Sequence, residues 1–288
     1  MKTYGQIYKT LRQNKHISLR EASGDIVSKS QLSRFENNLS ELSFSKVLDI
    51  LDNINVSYDE YMYLVRNYQR NEQILFFETV GRLEKLRKFD DLYALYMTEK
   101  EKNRKFYSKF SDLRLIAVKM VLNAHQKMAA PSPLEIEQLC DYLLSVVNWG
   151  QFELYLSLSA VAFVKLQTIK LFLEEIPQRI EFFQNSPENH RLLLMLYRNI
   201  IITSIVKKNQ QLAQQVLQDY EASIQTSFDV NLHLEYKMLT AEYAFEFIDF
   251  QTGEQILSQV IEVYRNFGDL NTAELYQKEI ELQKNLKL

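Results

Sequence analysis

Residues 28–38 read SKSQLSRFENN, and their types suit hydrogen bonding to a polar, anionic surface. Leu32 and Phe35 stand three apart and share one helical face, which Leu39 continues a turn later. Ser30, Ser33, Arg34 and Asn37 then project from the opposite face, with Lys29 and Gln31 on its flanks. Such a helix has a narrow foot in a core and a broad display of donors. Arg34 can offer a two-pronged fork to guanine, and Gln31 can pair with adenine, although helix capping competes for its side chain. Arg12 and Lys15, at the end of an earlier helix, are candidates for phosphate contacts. Glu36 has the wrong charge for that role and is expected to pair locally with Arg12 or Arg20.

A second constellation interrupts the apolar run LLLMLYRNIIITSIV (192–206), where Arg198 and Asn199 sit at the centre. Buried without partners, each would cost a few kcal/mol, so each must find protein groups or a ligand. Asn199 carries a donor and an acceptor side by side, which matches a peptide bond, and Arg198 can hold a carboxylate. Tyr236, Thr240 and Tyr243 share one helical face, and Tyr155, Ser159 and Ala162 share another. Small residues beside tyrosines suit a groove for a short apolar chain. An internal hydrogen-bond network and an aromatic core are the plainer readings of the same residues.

Catalysis has no comparable support. His16, His125, His190 and His233 are scattered, and with one cysteine no usual zinc ligand set can be nominated. The sequence has no H-E-x-x-H, G-x-S-x-G, G-x-x-x-x-G-K-[ST] or G-x-G-x-x-G. Glu174 and Glu175 are adjacent and point to different helix faces. Neither an enzyme nor a metal or other cofactor is expected.

The elements that must position these residues are helical. Of 288 residues 46% are apolar, while 6 Gly and 4 Pro leave little material for β-turns, so the chain is expected to be all-α. Its length calls for two domains, or one domain and a repeat array. Residues 1–40 hold seven Lys/Arg against three acids, a local net of +4 in a chain of net −3. A basic head on an acidic body fits a head that meets a polyanion. Cys140 lies among apolar neighbours and reads as a buried, inert thiol in a reducing compartment. MKTYGQIYKTLRQ lacks the apolar core of a signal peptide, and 192–206 is too short to span a bilayer. A soluble cytoplasmic chain without membrane contact is expected.

Ser18-Leu-Arg-Glu21, Ser28-Lys-Ser-Gln31 and Ser57-Tyr-Asp-Glu60 each fit a capping box. With Ile7/Leu11 and Phe44–Leu51 they predict five helices, at about 4–14, 19–24, 29–37, 44–52 and 58–70. The expected core is Ile7, Leu11, Leu19, Ala22, Ile26, Leu32, Phe35, Val47, Leu48 and Leu51. Only GDIVS separates the second helix from the third, a helix-turn-helix spacing. The stretch GQIYKTLRQNKHISLREASGDIVSKSQLSRFENN resembles the Cro/repressor-type helix-turn-helix, and SKSQLSRFE is similar to the Rgg/GadR/MutR regulators. Many of those relatives have Gly just after the Glu, where Asn37-Asn38 must close the helix here.

Beyond about residue 71, LRKFDDLYALY (86–96), VNWGQFELYL (147–156), VKKNQQLAQQVL (206–217), IDFQTGEQIL (248–257) and NFGDLNTAELY (266–276) each join an aliphatic helix end to a tight polar turn and a second helix. The last three read as degenerate tetratricopeptide-type hairpins in which Ala213, Gly253 and Ala273 allow close approach. PSP (131–133) and SPEN (186–189) mark helix boundaries. The expected organisation is a DNA-binding domain at 1–66 and a helical repeat domain at 67–288.

The Rgg resemblance extends here through Trp149-x-x-x-Glu153 and Asn199-Ile-Ile. It implies a repeat domain that dimerises and binds short secreted signalling peptides, as in quorum sensing, with Asn199 on the peptide backbone and Arg82 in the same groove. The redox-active cysteine that some relatives carry near the helix-turn-helix is absent. The leading expectation is a peptide-gated homodimer binding double-stranded DNA and affecting DNA affinity, half-site geometry or contact with RNA polymerase. The alternative is a constitutive DNA-binding regulator whose repeats are only a dimerisation or protein-interaction scaffold, and an antitoxin-like or phage-type repressor is a third, weaker option.

Overall fold

The computed structural model describes residues 3–68, 71–181 and 186–286, and among them every regular element is a helix, sixteen in all. The chain forms two compact units, Met1–Thr79 and Val80–Leu288.

The first unit holds α1 (Tyr4–Asn14), α2 (Leu19–Ser23), α3 (Lys29–Glu36), α4 (Phe44–Asn53) and α5 (Tyr58–Val65). Capping boxes start α2, α3 and α5 as the sequence predicts, and a fourth, Thr3 with Gln6, starts α1. Each box satisfies backbone donors that a helix start leaves orphaned. Left-handed residues end the helices, with Asn38, Asn55 and Asn67 taking positive φ after α3, α4 and α5. Asn38 (φ 58°) thus does what Gly would do, while Asn37 stays right-handed.

Ile7, Ala22, Leu32, Phe35 and Leu51 enter the core as expected, with Leu11, Leu19, Ile26 and Val47 packed at its margin and Leu48 half-buried. The centre also takes Tyr8, Ile50, Ile54 and Tyr61. The Tyr8 hydroxyl donates to the Ile50 carbonyl at 2.8 Å and that of Tyr61 to Tyr4 at 2.9 Å, so neither polar tip is buried unmatched. Leu39 departs from expectation and is 66% exposed. α3 ends at Glu36 and the left-handed Asn38 turns the chain before Leu39 can complete the apolar face. α5 ends at Val65 rather than at 70, because Asn67 and Tyr68 are left-handed; 69–70 lie outside the described residues.

α6 (Glu72–Lys85) contains the division between the units. The second unit continues with α7 (Phe89–Lys105), α8 (Lys109–Ala124), α9 (Pro133–Ser145), α10 (Gln151–Ala160), α11 (Leu166–Ile180), α12 (Pro187–Val206), α13 (Gln210–Ile224), α14 (Val230–Phe247), α15 (Phe250–Asn266) and α16 (Leu270–Leu286). Each of the five predicted punctuation segments is a helix-to-helix turn, and Pro133 and Pro187 occupy first-turn positions. α8, α10, α12 and α14 pack in succession, with α13 against α12 and α14, and α15 between α14 and α16. Ala213 and Ala273 are buried, and a Cβ on Gly253 would stand 2.4 Å from the Phe245 ring, so the α14–α15 hairpin closes only over glycine. Trp149 is fully buried and donates to the Leu143 carbonyl at 3.1 Å. Glu153 accepts from the Tyr142 hydroxyl at 2.6 Å, so the W-x-x-x-E pair is a joint between α9 and α10.

Candidate functional site

Leu32 and Phe35 pin α3 to the core and leave Lys29, Ser30, Gln31, Arg34 and Asn37 exposed in one display, with Ser33 half-buried behind them. Gln31 is committed to capping, since its Oε1 accepts from the Ser28 amide at 3.1 Å and only its NH₂ is left to donate outward. A two-pronged contact with adenine therefore costs that cap bond. Asn37 is held by its own contacts, donating to Ser33 O at 2.8 Å and accepting from Lys9 Nζ at 3.0 Å. Among the described residues Arg34 makes one long contact, 3.4 Å to the Leu39 carbonyl, which leaves most of its donor fork facing outward. Lys9 is a residue that sequence reasoning missed, because its meeting with Asn37 across α1 and α3 has no local signature.

Arg12 does not fit the phosphate role expected of it. It is 7% exposed, its Nε and Nη2 donate to the Glu36 carboxylate at 2.6 and 2.8 Å, and its Nη1 donates to the Ile17 carbonyl at 2.7 Å. Hydrogen bonding to Glu36 pushes its pKa further up, against the opposing effect of burial. Of the two expected partners for Glu36, the structure selects Arg12, and the pair clamps α1 to α3. Lys15 stays exposed while donating to the Asn55 carbonyl at 2.6 Å. Asn53 donates to Ala22 O at 3.1 Å, where left-handed Gly24 (φ 48°) lets the turn between α2 and α3 pass close.

In the second unit, six of the seven candidate residues fall on three adjacent helices, α10, α12 and α14. Asn199 is half-buried and its Nδ2 donates to the Leu158 carbonyl of α10 at 3.1 Å. Arg198 is exposed rather than buried, and its Nε meets Glu235 of α14 at 3.0 Å. Glu235 also accepts from the Tyr220 hydroxyl at 3.0 Å, and the Tyr220 ring stacks on Tyr236 with centroids 6.2 Å apart. Burial first, then the Glu235 charge, pushes the Tyr220 pKa up. Thr240 donates to its own helix at Tyr236 O, and the Tyr243 hydroxyl, on a side chain only 9% exposed, accepts from Gln210 at 3.2 Å. Tyr155 is equally buried on α10. Ala162 does not share its face, because α10 ends at Ala160 and 161–164 form a turn. Arg82 stands exposed on α6, outside those three helices.

Sequence reasoning also missed Glu235, Tyr220 and Glu242. Desolvation first, and the charge of Glu279 second, push the Glu242 carboxyl up to about 7. Cys140 is half-buried rather than buried, and burial raises its thiol pKa. Among the described residues no three potential metal ligands cluster, and no helix is long and apolar enough to cross a membrane.

Two family profiles match the sequence. The one described as HTH-type transcriptional regulator Rgg, C-terminal domain, covers residues 94–278, more than half of the chain, and a helix-turn-helix profile covers 9–61. Among solved structures, the SHP pheromone receptor Rgg2 of Streptococcus dysgalactiae is 22% identical, with a TM-score of 0.79 over 98% of this chain and 100% of that one. A protein of Listeria monocytogenes EGD-e is 17% identical, with a TM-score of 0.83 over 99% and 98%. The complex of PrgX with cCF10 is 13% identical, with a TM-score of 0.68 over 96% and 98%. At these identities the likeness shows a shared fold.

Proposed function

The chain belongs to the Rgg-type helix-turn-helix transcriptional regulators, and from that premise we propose that it is a sequence-specific DNA-binding homodimer gated by a short peptide. Residues 1–66 read DNA through α3, with Arg34 on a base edge and Lys29, Ser30, Ser33, Lys15 and Asn37 on bases or flanking phosphates. Residues 67–288 dimerise and take the peptide on the face shared by α10, α12 and α14. Peptide binding changes DNA affinity, half-site geometry or contact with RNA polymerase.

The observation that carries the gating is Asn199. Its Nδ2 is spent on a main-chain carbonyl of α10, and none of the described residues donates to its Oδ1, which suits a peptide N–H. Two related folds come from a pheromone receptor and a pheromone–receptor complex, which supports the same reading. One observation favours the scaffold alternative: Arg198, which could hold a peptide carboxylate, is already paired with Glu235.

Fluorescence anisotropy tests both readings. The full chain and its Asn199→Ala variant are titrated onto DNA upstream of the gene, at several salt concentrations, with and without synthetic peptides encoded in the flanking reading frames. Gating predicts that one peptide shifts wild-type binding and that the variant keeps its stability and DNA affinity but loses the shift. A peptide response identical in the variant removes Asn199 from the site. Lower stability in the variant, with no response to any peptide in either protein, favours the scaffold.

A further inference from the structure

The turn between α7 and α8 carries a surface that no role above uses. Residues 101–110, EKNRKFYSKF, hold four Lys/Arg against one acid. Phe106 and Tyr107 stand at the tip, 79% and 75% exposed, among the exposed cations Lys102, Arg104, Lys105 and Lys109. Phe106, Lys102 and Lys105 border a shallow hollow of about 570 Å³ whose other walls are Met97, Thr98 and Glu101. Glu101 is paired with Arg104 at 3.1 Å, so the acid in the lining is already matched.

A largely buried polar network holds the turn from beneath. Asn103 is 8% exposed; its Oδ1 accepts from the Ser108 amide at 2.8 Å and its Nδ2 donates to Asp112 at 2.5 Å. Asp112 also accepts from the Tyr107 hydroxyl. Behind them buried Glu99 accepts from the Ser111 hydroxyl and from Arg114 at 2.6 Å. The backbone that carries both rings, and the Tyr107 side chain itself, are therefore set before any partner arrives, which lowers the ordering cost of binding.

Large rings set among cations fit a partner that is anionic and offers flat apolar faces. A single nucleic-acid strand has both, with phosphates for the lysines and unstacked bases for the rings. Duplex DNA keeps its base faces inside the stack and gives the rings nothing to lie on. A bilayer would meet the ring tips and leave the hollow unfilled, whereas a base lying on Phe106 occupies it.

We infer that the α7–α8 turn binds single-stranded nucleic acid, stacking bases on Phe106 and Tyr107 and holding phosphates with Lys102, Lys105 and Lys109. It uses none of the residues assigned above to duplex DNA or to the peptide, so it stands or falls apart from both readings.

The test uses the full chain with fluorescein-labelled oligouridylate and oligothymidylate, each about 20 nucleotides and so longer than one binding site. Anisotropy is followed over a salt series, with the upstream duplex titrated in parallel. Expected is binding of both strands with a log–log salt slope of about −2, from three lysines at about 0.7 each. The tighter strand names the source, oligouridylate for a transcript and oligothymidylate for an opened duplex. Phe106→Ala should weaken both at least about fivefold with the slope unchanged, and Phe106→Leu should bind no better than Phe106→Ala. Lys102→Gln with Lys105→Gln should reduce the slope by about 1.4. These variants keep the wild-type circular dichroism, melting temperature and duplex affinity, and Arg34→Ala keeps strand binding. No strand binding by the wild type at low salt overturns the inference. So does strand binding that Arg34→Ala abolishes and Phe106→Ala leaves intact. Phe106→Leu binding strands as tightly as wild type also overturns it, because an apolar contact without stacking then suffices, as it would in an acidic protein groove or on phosphatidylglycerol vesicles. Failure of the upstream duplex to bind bears on the earlier reading alone.

Discussion

The clamp between Arg12 and Glu36 separates a structural arginine from a DNA-contacting one. Both side chains are almost fully buried, 9% and 2% exposed, and the two nitrogen–oxygen contacts are 2.6 and 2.8 Å. Removing one partner of such a pair leaves an uncompensated buried charge, at a cost of about 3–5 kcal/mol. Glu36→Gln or Arg12→Met alone should therefore lower the stability of the first unit by that amount. With a urea dependence of about 1–3 kcal/mol per molar, the midpoint falls by roughly 1–5 M. The double variant Arg12→Met, Glu36→Leu replaces the pair with apolar groups and should recover most of the loss or exceed wild type. Two probes keep the units apart. The chain's single tryptophan, Trp149, is buried in the second unit, so its fluorescence should follow an unchanged transition while far-UV circular dichroism shows the earlier one. The folded double variant then goes to DNA. A structural Arg12 leaves the salt slope of binding where it was, whereas loss of a phosphate contact would reduce it by about 0.9. Single variants within about 0.5 kcal/mol of wild type, together with a reduced slope in the double variant, would refute the clamp.

Three further perturbations follow from the same geometry. Glu242 binds a proton in the folded chain up to about pH 7 but releases it near 4.5 when unfolded, so stability falls as pH rises between those values, by on the order of 3 kcal/mol; Glu242→Gln should raise Tm at pH 8 and hardly move it at pH 5 in a calorimetric series. Gly253→Ala drives a methyl into the Phe245 ring and should cost about 1–3 kcal/mol in urea unfolding followed by Trp149 or circular dichroism. Asn38→Ala places an ordinary side chain at φ 58° and should destabilise the first unit by about 1–2 kcal/mol, while Asn38→Gly stays close to wild type in the same melt.

What the sequence made legible was local. Helix starts at Ser18, Ser28 and Ser57, and the turns after Leu86, Val147, Val206, Ile248 and Asn266, are set by neighbours within four residues, and capping and turn chemistry act over that range. The Arg12–Glu36 pairing was legible as one of two options, but the burial of Arg12 was not. It lies one turn after the fully buried Tyr8 and shares its inward face, so helical spacing alone placed it inside, where only a carboxylate such as Glu36 can accompany it. Arg198 shows the opposite error. The apolar run around it suggested burial, yet Met195 and Ile202 are 38% and 37% exposed, and with Arg191 and Arg198 they form one solvent-facing stripe at helical spacing. An all-apolar run therefore hides the difference between a helix buried all round and one with an apolar stripe that faces solvent. Polar residues inside it decide the matter by their partners: Arg198 finds Glu235 on α14, whereas Asn199 donates its amide N–H to the Leu158 carbonyl of α10. Those partners sit on other helices, tens of residues away in sequence, so periodicity could propose the polar pair but could not tell which member was already satisfied. Of the two, Asn199 is the residue on which the proposed peptide response should depend, and Arg198 the one whose loss should first be felt as a weakened contact between α12 and α14.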